Sequence, residues 1–184
     1  MKPGYLSFSS VDLEVRAKKA WQLLDPCRLC PRQCGVNRLK GEKGFCQMGR
    51  NPKIFSFHPH FGEEKCLVGS GGSGTIFFSS CNLACVYCQN YEISHFKEGK
   101  TVRIEDLAEM MIYLQNRGCH NINLVSPSIW IPQILEAVII ARKKGLNLPL
   151  VYNTGGYDLP QTLRLLEGIV DIYMPDIKYS DNKI

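Results

Sequence analysis

The chain has 184 residues, 45% of them hydrophobic and 21% charged, with a formal net charge of +5 from 22 basic and 17 acidic side chains. That length supports one cored domain, or one domain with a short appendage, and the scattered charge, without a basic face interleaved with aromatics, gives no indication of a nucleic-acid partner. No stretch approaches the ~20 apolar residues of a membrane span or the apolar core of a signal peptide, so a cytoplasmic protein is expected. In that compartment nine cysteines point to ligands or catalytic groups rather than to a disulfide framework.

From Ser10 to Leu24 the apolar residues Leu13, Ala17, Ala20, Trp21 and Leu24 recur at helical spacing, and Ser9 with Asp12 forms a capping-box pattern ahead of them. An amphipathic N-terminal helix is predicted. The next segment, CRLCPRQCGVNRLKGEKGFCQMG, has no sustained apolar period and reads as a loop held by something other than its own core. Its cysteines, Cys27-x2-Cys30-x3-Cys34-x11-Cys46, make a four-ligand set suited to a structural zinc or an auxiliary iron–sulfur cluster, with free thiols as the alternative. KIFSFHPHFG predicts a short strand stopped by Pro59, leaving His58, His60, Glu63 and Glu64 in a polar loop. Cys66, like Cys119 further on, is expected to be a small buried residue. These parts form a leading segment over residues 1–68.

Over residues 69–184 the pattern becomes an alternation of strands and helices. Gly69, Gly71 and Gly74 satisfy G-x-G-x-x-G, but a dinucleotide fingerprint follows a strand and opens a helix, whereas these glycines precede a strand and read as a flexible lead-in to it. Apolar runs predict strands at Thr75–Ser79, Asn121–Val125, Pro149–Tyr152 and Ile169–Met174. Helices are marked by Ile104, Leu107, Ala108, Met111 and Leu114, then by Ile131, Ile134, Leu135 and Val138 with Ser128 as a cap, then by Leu159, Leu163 and Leu166. The expected fold is α/β, a partial parallel (β/α) barrel of about four units with right-handed crossovers.

In such a sheet all carboxyl ends emerge on one rim, where ligands bind. The first strand ends in Ser79, Ser80 and Cys81-x3-Cys85-x2-Cys88, and the second in Ser126, Pro127 and Ser128. The third ends in Asn153, Thr154, Gly155 and Gly156, and the fourth in Asp176 and Lys178. Three thiolates in a compact loop suit one soft-metal centre, and a structural zinc normally takes four protein ligands. Three ligands leave one position for a substrate or cofactor, unless Cys119 or His95 folds back to fill it.

The three-cysteine motif with Tyr87 before its last cysteine, placed after the first strand of a parallel β/α array, resembles the radical S-adenosylmethionine superfamily. The resemblance implies that Cys81, Cys85 and Cys88 hold a [4Fe-4S] cluster whose open iron chelates S-adenosylmethionine. One electron, from a donor such as a flavodoxin or ferredoxin, then yields a 5'-deoxyadenosyl radical that abstracts hydrogen. GSGTIFFSSCNLACVYCQNYEIS, NINLVSPS, VYNTGGY and DIYMPDIKY are similar, more narrowly, to relatives of the pyruvate formate-lyase activating enzyme, which implies an oxidoreductase acting on a protein substrate. By the same resemblance Thr154, Met174 and Asp176 line a monovalent cation site beside the cofactor carboxylate and Lys178 approaches it. Asn153 stands where those enzymes carry aspartate, and Ser126 lies where many superfamily members have glycines and a glutamate.

Four parallel strands are fewer than the six usual in that superfamily, so the sequence is expected to be a fragment or a shortened form. The competing readings are a non-enzymatic iron–sulfur or zinc module and an inactive truncated form that keeps a cluster but not the cofactor.

Overall fold

Ser9 caps the first helix as its spacing predicts: its hydroxyl accepts from the Asp12 amide at 3.1 Å and donates to the Asp12 carboxylate at 2.6 Å. Helix α1 (Ser10–Gln22) buries Leu13, Ala17 and Ala20 and packs on a later helix of the array. The computed structural model describes residues 2–178; Tyr179, the last residue of DIYMPDIKY, lies outside them, as do Ser180 to Ile184.

Among the described residues six strands form one sheet: β1 (Lys53–His60), β2 (Ser73–Phe78), β3 (Lys100–Thr101), β4 (Ile122–Val125), β5 (Leu150–Thr154) and β6 (Ile172–Pro175), in the order β3-β1-β2-β4-β5-β6. β2, β4, β5 and β6 are parallel neighbours, while β1 runs antiparallel to both β2 and β3. The helices are, after α1, α2 (Lys65–Val68), α3 (Tyr91–Ser94), α4 (Ile104–Asn116), α5 (Ile131–Lys143) and α6 (Pro160–Leu163). The architecture is a partial (β/α) barrel, with α4 and α5 packed together and α1 laid on α5. Register places Ile76, Leu124 and Tyr152 side by side on one face, all buried, and Phe77, Val125 and Asn153 on the other. Among the described residues no helix is long and apolar enough to cross a membrane.

Several expectations are corrected. Pro59 does not stop β1, which continues to His60 with Pro59 opposite Gly74. β3 covers β1 only at Lys53 and Ile54, so Pro59 sits where the strand is an edge, the place a sheet tolerates a residue without N–H. His58 and His60 are therefore strand residues packed on Phe77, with ring centroids 5.6 and 5.9 Å from it. The glycines are not a loose lead-in: Gly74 lies within β2, and a Cβ on Gly71 would lie 1.9 Å from the Gly118 carbonyl oxygen and one on Gly74 2.5 Å from that of Asn121. Close backbone approach requires them. Ser128 does not cap α5; it sits in the 3-10 turn Pro127–Ile129, and Trp130 takes the cap position. The third predicted helix is a single turn, α6, followed by tight turns through Ile169. Cys66 is exposed, whereas Cys119 is buried as expected.

Candidate functional site at the carboxyl rim of the parallel strands

Strand β2 ends by driving Ser79 and Ser80 into the interior, 0% and 1% exposed. Ser80 adopts a left-handed conformation, φ +71°, donates its hydroxyl to the Cys46 carbonyl at 2.8 Å and its amide to that of Ile93 at 2.9 Å. The chain then turns through Cys81, Cys85 and Cys88, all half-buried and unpaired by disulfides. The Leu83 amide points at the Cys81 sulfur, 3.4 Å away, Ala84 is left-handed at φ +56°, and the Cys88 amide donates to the Cys85 carbonyl at 3.1 Å. Tyr87 stands outward, 53% exposed. The sulfurs are not drawn onto a common point: among the described residues no three His, Cys, Asp or Glu side chains form a closed metal-holding group.

The other strand ends converge on this loop. A Cβ on Gly155 would lie 2.6 Å from Leu83 Cδ1 and one on Gly156 2.6 Å from the Asp176 carbonyl oxygen, so the two glycines let the β5 loop touch both the cysteine loop and the β6 loop. Asn82 is buried, and its amide donates to the Tyr157 carbonyl at 2.6 Å. Ser126 is left-handed at φ +58° and bonds through its amide to the Asn153 carbonyl at 2.9 Å, locking the ends of β4 and β5 together. The Asp176 amide does the same from β6 to the Thr154 carbonyl at 2.9 Å. Met174 stands beside Asn153 in the β5–β6 register, both half-buried.

Thr154 is buried, and its hydroxyl donates to Asp158 at 2.6 Å, lies 3.1 Å from the Ser128 hydroxyl and receives the Gly156 amide at 3.2 Å. Tyr152 donates to the other Asp158 oxygen at 2.9 Å. Burial holds the Tyr152 phenol well above its ordinary range, and the nearby Asp158 carboxylate adds to this. The Thr154 hydroxyl is thus committed to a buried network rather than held free for a ligand. Lys178 and Asp176 pair directly, at 2.5 Å. The Lys178 ammonium is held above its usual range, first by its hydrogen bond to Asp176 and then by the Asp176 charge, with smaller contributions from Cys85 and Cys88.

Three participants were not singled out from the sequence. Asp158, four residues past the end of β5 and within the polar GGYD run, bridges Tyr152 and Thr154. Arg32 reaches across from the leading segment to donate to the carbonyls of Asn82 at 2.9 Å and Leu83 at 3.3 Å, inside the three-cysteine loop. Asn123 is fully buried in β4 with both side-chain amide atoms unpartnered; an asparagine in the middle of the apolar run INLV was its only sequence signal.

The leading cysteines form a second group. Cys27, Cys30, Cys34 and Cys46 line one small cavity, the first two and Cys46 buried and Cys34 half-buried. Burial pushes the Cys30 and Cys46 thiols up, opposed by the Arg32 amide and Asn82 side chain at Cys30 and by the Arg38 charge and Met48 amide at Cys46.

Comparison with known proteins bears on this rim. The model of the radical SAM superfamily matches residues 75–184, beginning inside β2 and taking in the whole three-cysteine loop. An uncharacterized protein of Methanocaldococcus jannaschii is 32% identical over 188 residues, a match covering 97% of this chain and 52% of the relative. A second uncharacterized protein of the same organism is 26% identical over 168 residues, covering 83% and 49% respectively. The chain spans about half the length of these curated relatives. Both matches reach upstream of β2 as far as their coverage requires, but the family match itself rests on the parallel strands and their rim: the chain belongs to the radical SAM superfamily.

Proposed function

We propose that this chain carries the cluster-binding and cofactor-binding rim of a radical S-adenosylmethionine oxidoreductase. The observation that carries the proposal is the three-cysteine loop at the carboxyl end of β2, inside the matched region. The donor set fits the group: three half-buried thiols in one loop favour a soft, anionic iron–sulfur centre with one ligand position left over. When bound, a [4Fe-4S] cluster with S-adenosylmethionine supplies one-electron cleavage of the sulfonium to a 5'-deoxyadenosyl radical that abstracts hydrogen.

The chain's own residues then have these roles. Cys81, Cys85 and Cys88 are the cluster ligands, and Tyr87 covers the loop from outside. Ser126, Asn153 and Met174 form the floor offered to S-adenosylmethionine, with backbone groups of the left-handed Ser126 turn standing in for a charged side chain, and the buried Thr154 hydroxyl supports that floor from its network with Asp158. Lys178 attracts the cofactor's carboxylate, and Asp176 holds the ammonium in place. The buried Tyr152–Asp158–Thr154 network stiffens the β5 end, so the floor is preorganised rather than shaped by the ligand. The similarity of the strand-end segments to activating-enzyme relatives makes a protein the proposed hydrogen donor and a flavodoxin or ferredoxin the proposed electron source.

The test is anaerobic reconstitution of the full-length protein with iron and sulfide, followed by dithionite and S-adenosylmethionine. The expected product is 5'-deoxyadenosine, lost in Cys85→Ala. A cluster-loaded full-length protein that forms none would overturn the proposal. Formation of a radical on a co-purified polypeptide supports the activating role; 5'-deoxyadenosine formed with a small molecule as the only hydrogen donor rejects it.

A further inference from the structure

The cysteine-bearing loop of the leading segment, residues 27–49, has no sustained apolar period, yet it places four thiols around one cavity. One of them meets a backbone donor: the Phe45 amide lies 3.3 Å from the Cys34 sulfur. Amide donors aimed at sulfur suit thiolates that carry metal-bound negative charge. Gly44 is kept open for the same group: a Cβ there would sit 2.6 Å from Cys34 Cβ and 2.7 Å from its sulfur. Gly35 is left-handed at φ +71°, turning the chain directly after Cys34 so that its amide donates to the Cys27 carbonyl at 3.0 Å.

The cavity bounded by the four cysteines has a volume of about 10 Å³, the room of about one water-sized sphere. A single ion calls for less displacement of the cysteine side chains, each sulfur being placed by one torsion, than a cluster of four irons and four sulfides does, although among the described residues the sulfurs are not already gathered into a closed metal-holding group. With four thiolates and no site left for solvent, the ion expected is one that favours closed tetrahedral sulfur coordination.

We propose that Cys27, Cys30, Cys34 and Cys46 bind one zinc ion in a closed tetrathiolate site that staples the leading segment to the three-cysteine loop. The thiols give up their protons as the ion binds. The staple has visible attachments: Arg32, between Cys30 and Cys34, donates to Asn82 and Leu83, and Ser80 donates to Cys46. The zinc site is independent of the radical chemistry proposed above, and its test is made where that chemistry is absent.

Full-length protein carrying Cys81→Ala, Cys85→Ala and Cys88→Ala is purified and analysed for metal. The expected result is one zinc per chain without iron or labile sulfide, and X-ray absorption showing four sulfurs at ~2.3 Å. Exchange with cobalt(II) is expected to give the intense visible bands of a tetrahedral tetrathiolate site. Adding Cys34→Ser to that protein should weaken zinc binding in chelator competition by at least the ~10–100-fold that loss of an outer-shell partner costs, while Cys119→Ser should leave it unchanged. Iron with sulfide in place of zinc, a zinc shell containing oxygen or nitrogen, or no metal above background would each overturn the proposal. The absorption measurement keeps all four cysteines intact, so it decides even where the Cys34→Ser chain fails to fold.

Discussion

Arg38 is the most buried charge of the leading segment, 1% exposed, and its guanidinium is spent entirely on the backbone of two distant elements. It donates twice to the Gly49 carbonyl, at 3.2 and 2.8 Å, and once to that of Ile129, at 2.9 Å, beneath the Trp130 ring at 5.3 Å. Arg38→Met keeps most of the bulk but removes every donor. Two buried carbonyls left without these partners cost ~1–3 kcal/mol each, and the apolar packing regained by the thioether holds the net loss to about 2–4 kcal/mol. With a urea dependence of ~2 kcal/mol per molar, the unfolding midpoint should fall by about 1–2 M. Arg38→Lys, which supplies a point charge without the fork, should recover less than half of this. The assay is urea unfolding followed by far-ultraviolet circular dichroism, with tryptophan fluorescence as a second probe. A midpoint change under about 0.5 M for the methionine variant, or full recovery with lysine, would refute the assignment of Arg38 as the tie between the leading segment and the α5 entrance.

Gly71→Ala should lower stability by about 1–3 kcal/mol, because its Cβ would meet the Gly118 carbonyl oxygen at 1.9 Å, whereas Gly49→Ala, with nothing within 4 Å, should be neutral in the same thermal melts. Burial, aided by Asp171, raises the folded Tyr5 phenol, and burial aided by Asp158 raises that of Tyr152. Their contribution is therefore complete below about pH 10 and declines as pH rises beyond it; in melts at graded alkaline pH, Tyr5→Phe and Tyr152→Phe should each flatten that decline. His58 is shifted the opposite way, lowered by burial and then by His60, so its contribution is complete above about pH 6.5 and is lost on acidification. His58→Phe, which preserves the stack on Phe77, should reduce the acid-side slope of the melting temperature, and an unchanged slope would reject the assignment.

The four parallel strands were legible because each is an apolar run followed closely by polar residues, and β2, β4 and β5 are buried along most of their length as such runs predict, whereas β6 alternates half-buried and exposed positions. The convergence of cysteines, hydroxyls, Asp176 and Lys178 on one rim followed from that alone. β3 was not legible: Lys100 and Thr101 are both exposed, and two paired residues leave no periodicity. The extension of β1 past Pro59 depends on which of its flanks carries a neighbour, a tertiary fact that no local pattern contains. Ser128 has the composition of a cap, but the proline before it commits the chain to a 3-10 turn and hands its hydroxyl to Thr154. The buried role of Arg38 was hidden for a related reason. A basic residue in a Gly-rich loop looks solvated until the carbonyls it serves, 11 and 91 residues away, are brought to it.

The direction of β1 decides what the rim can recruit. Because β1 opposes β2, its first residue rather than its last meets the cysteine end of the sheet, where the Ser79 amide donates to the Lys53 carbonyl at 2.9 Å. Reversing this eight-residue strand would carry its upstream polypeptide ~26 Å away, to the far side of the molecule. One hairpin-like pairing thus acts as the address label that delivers both sulfur-bearing loops to the same doorstep.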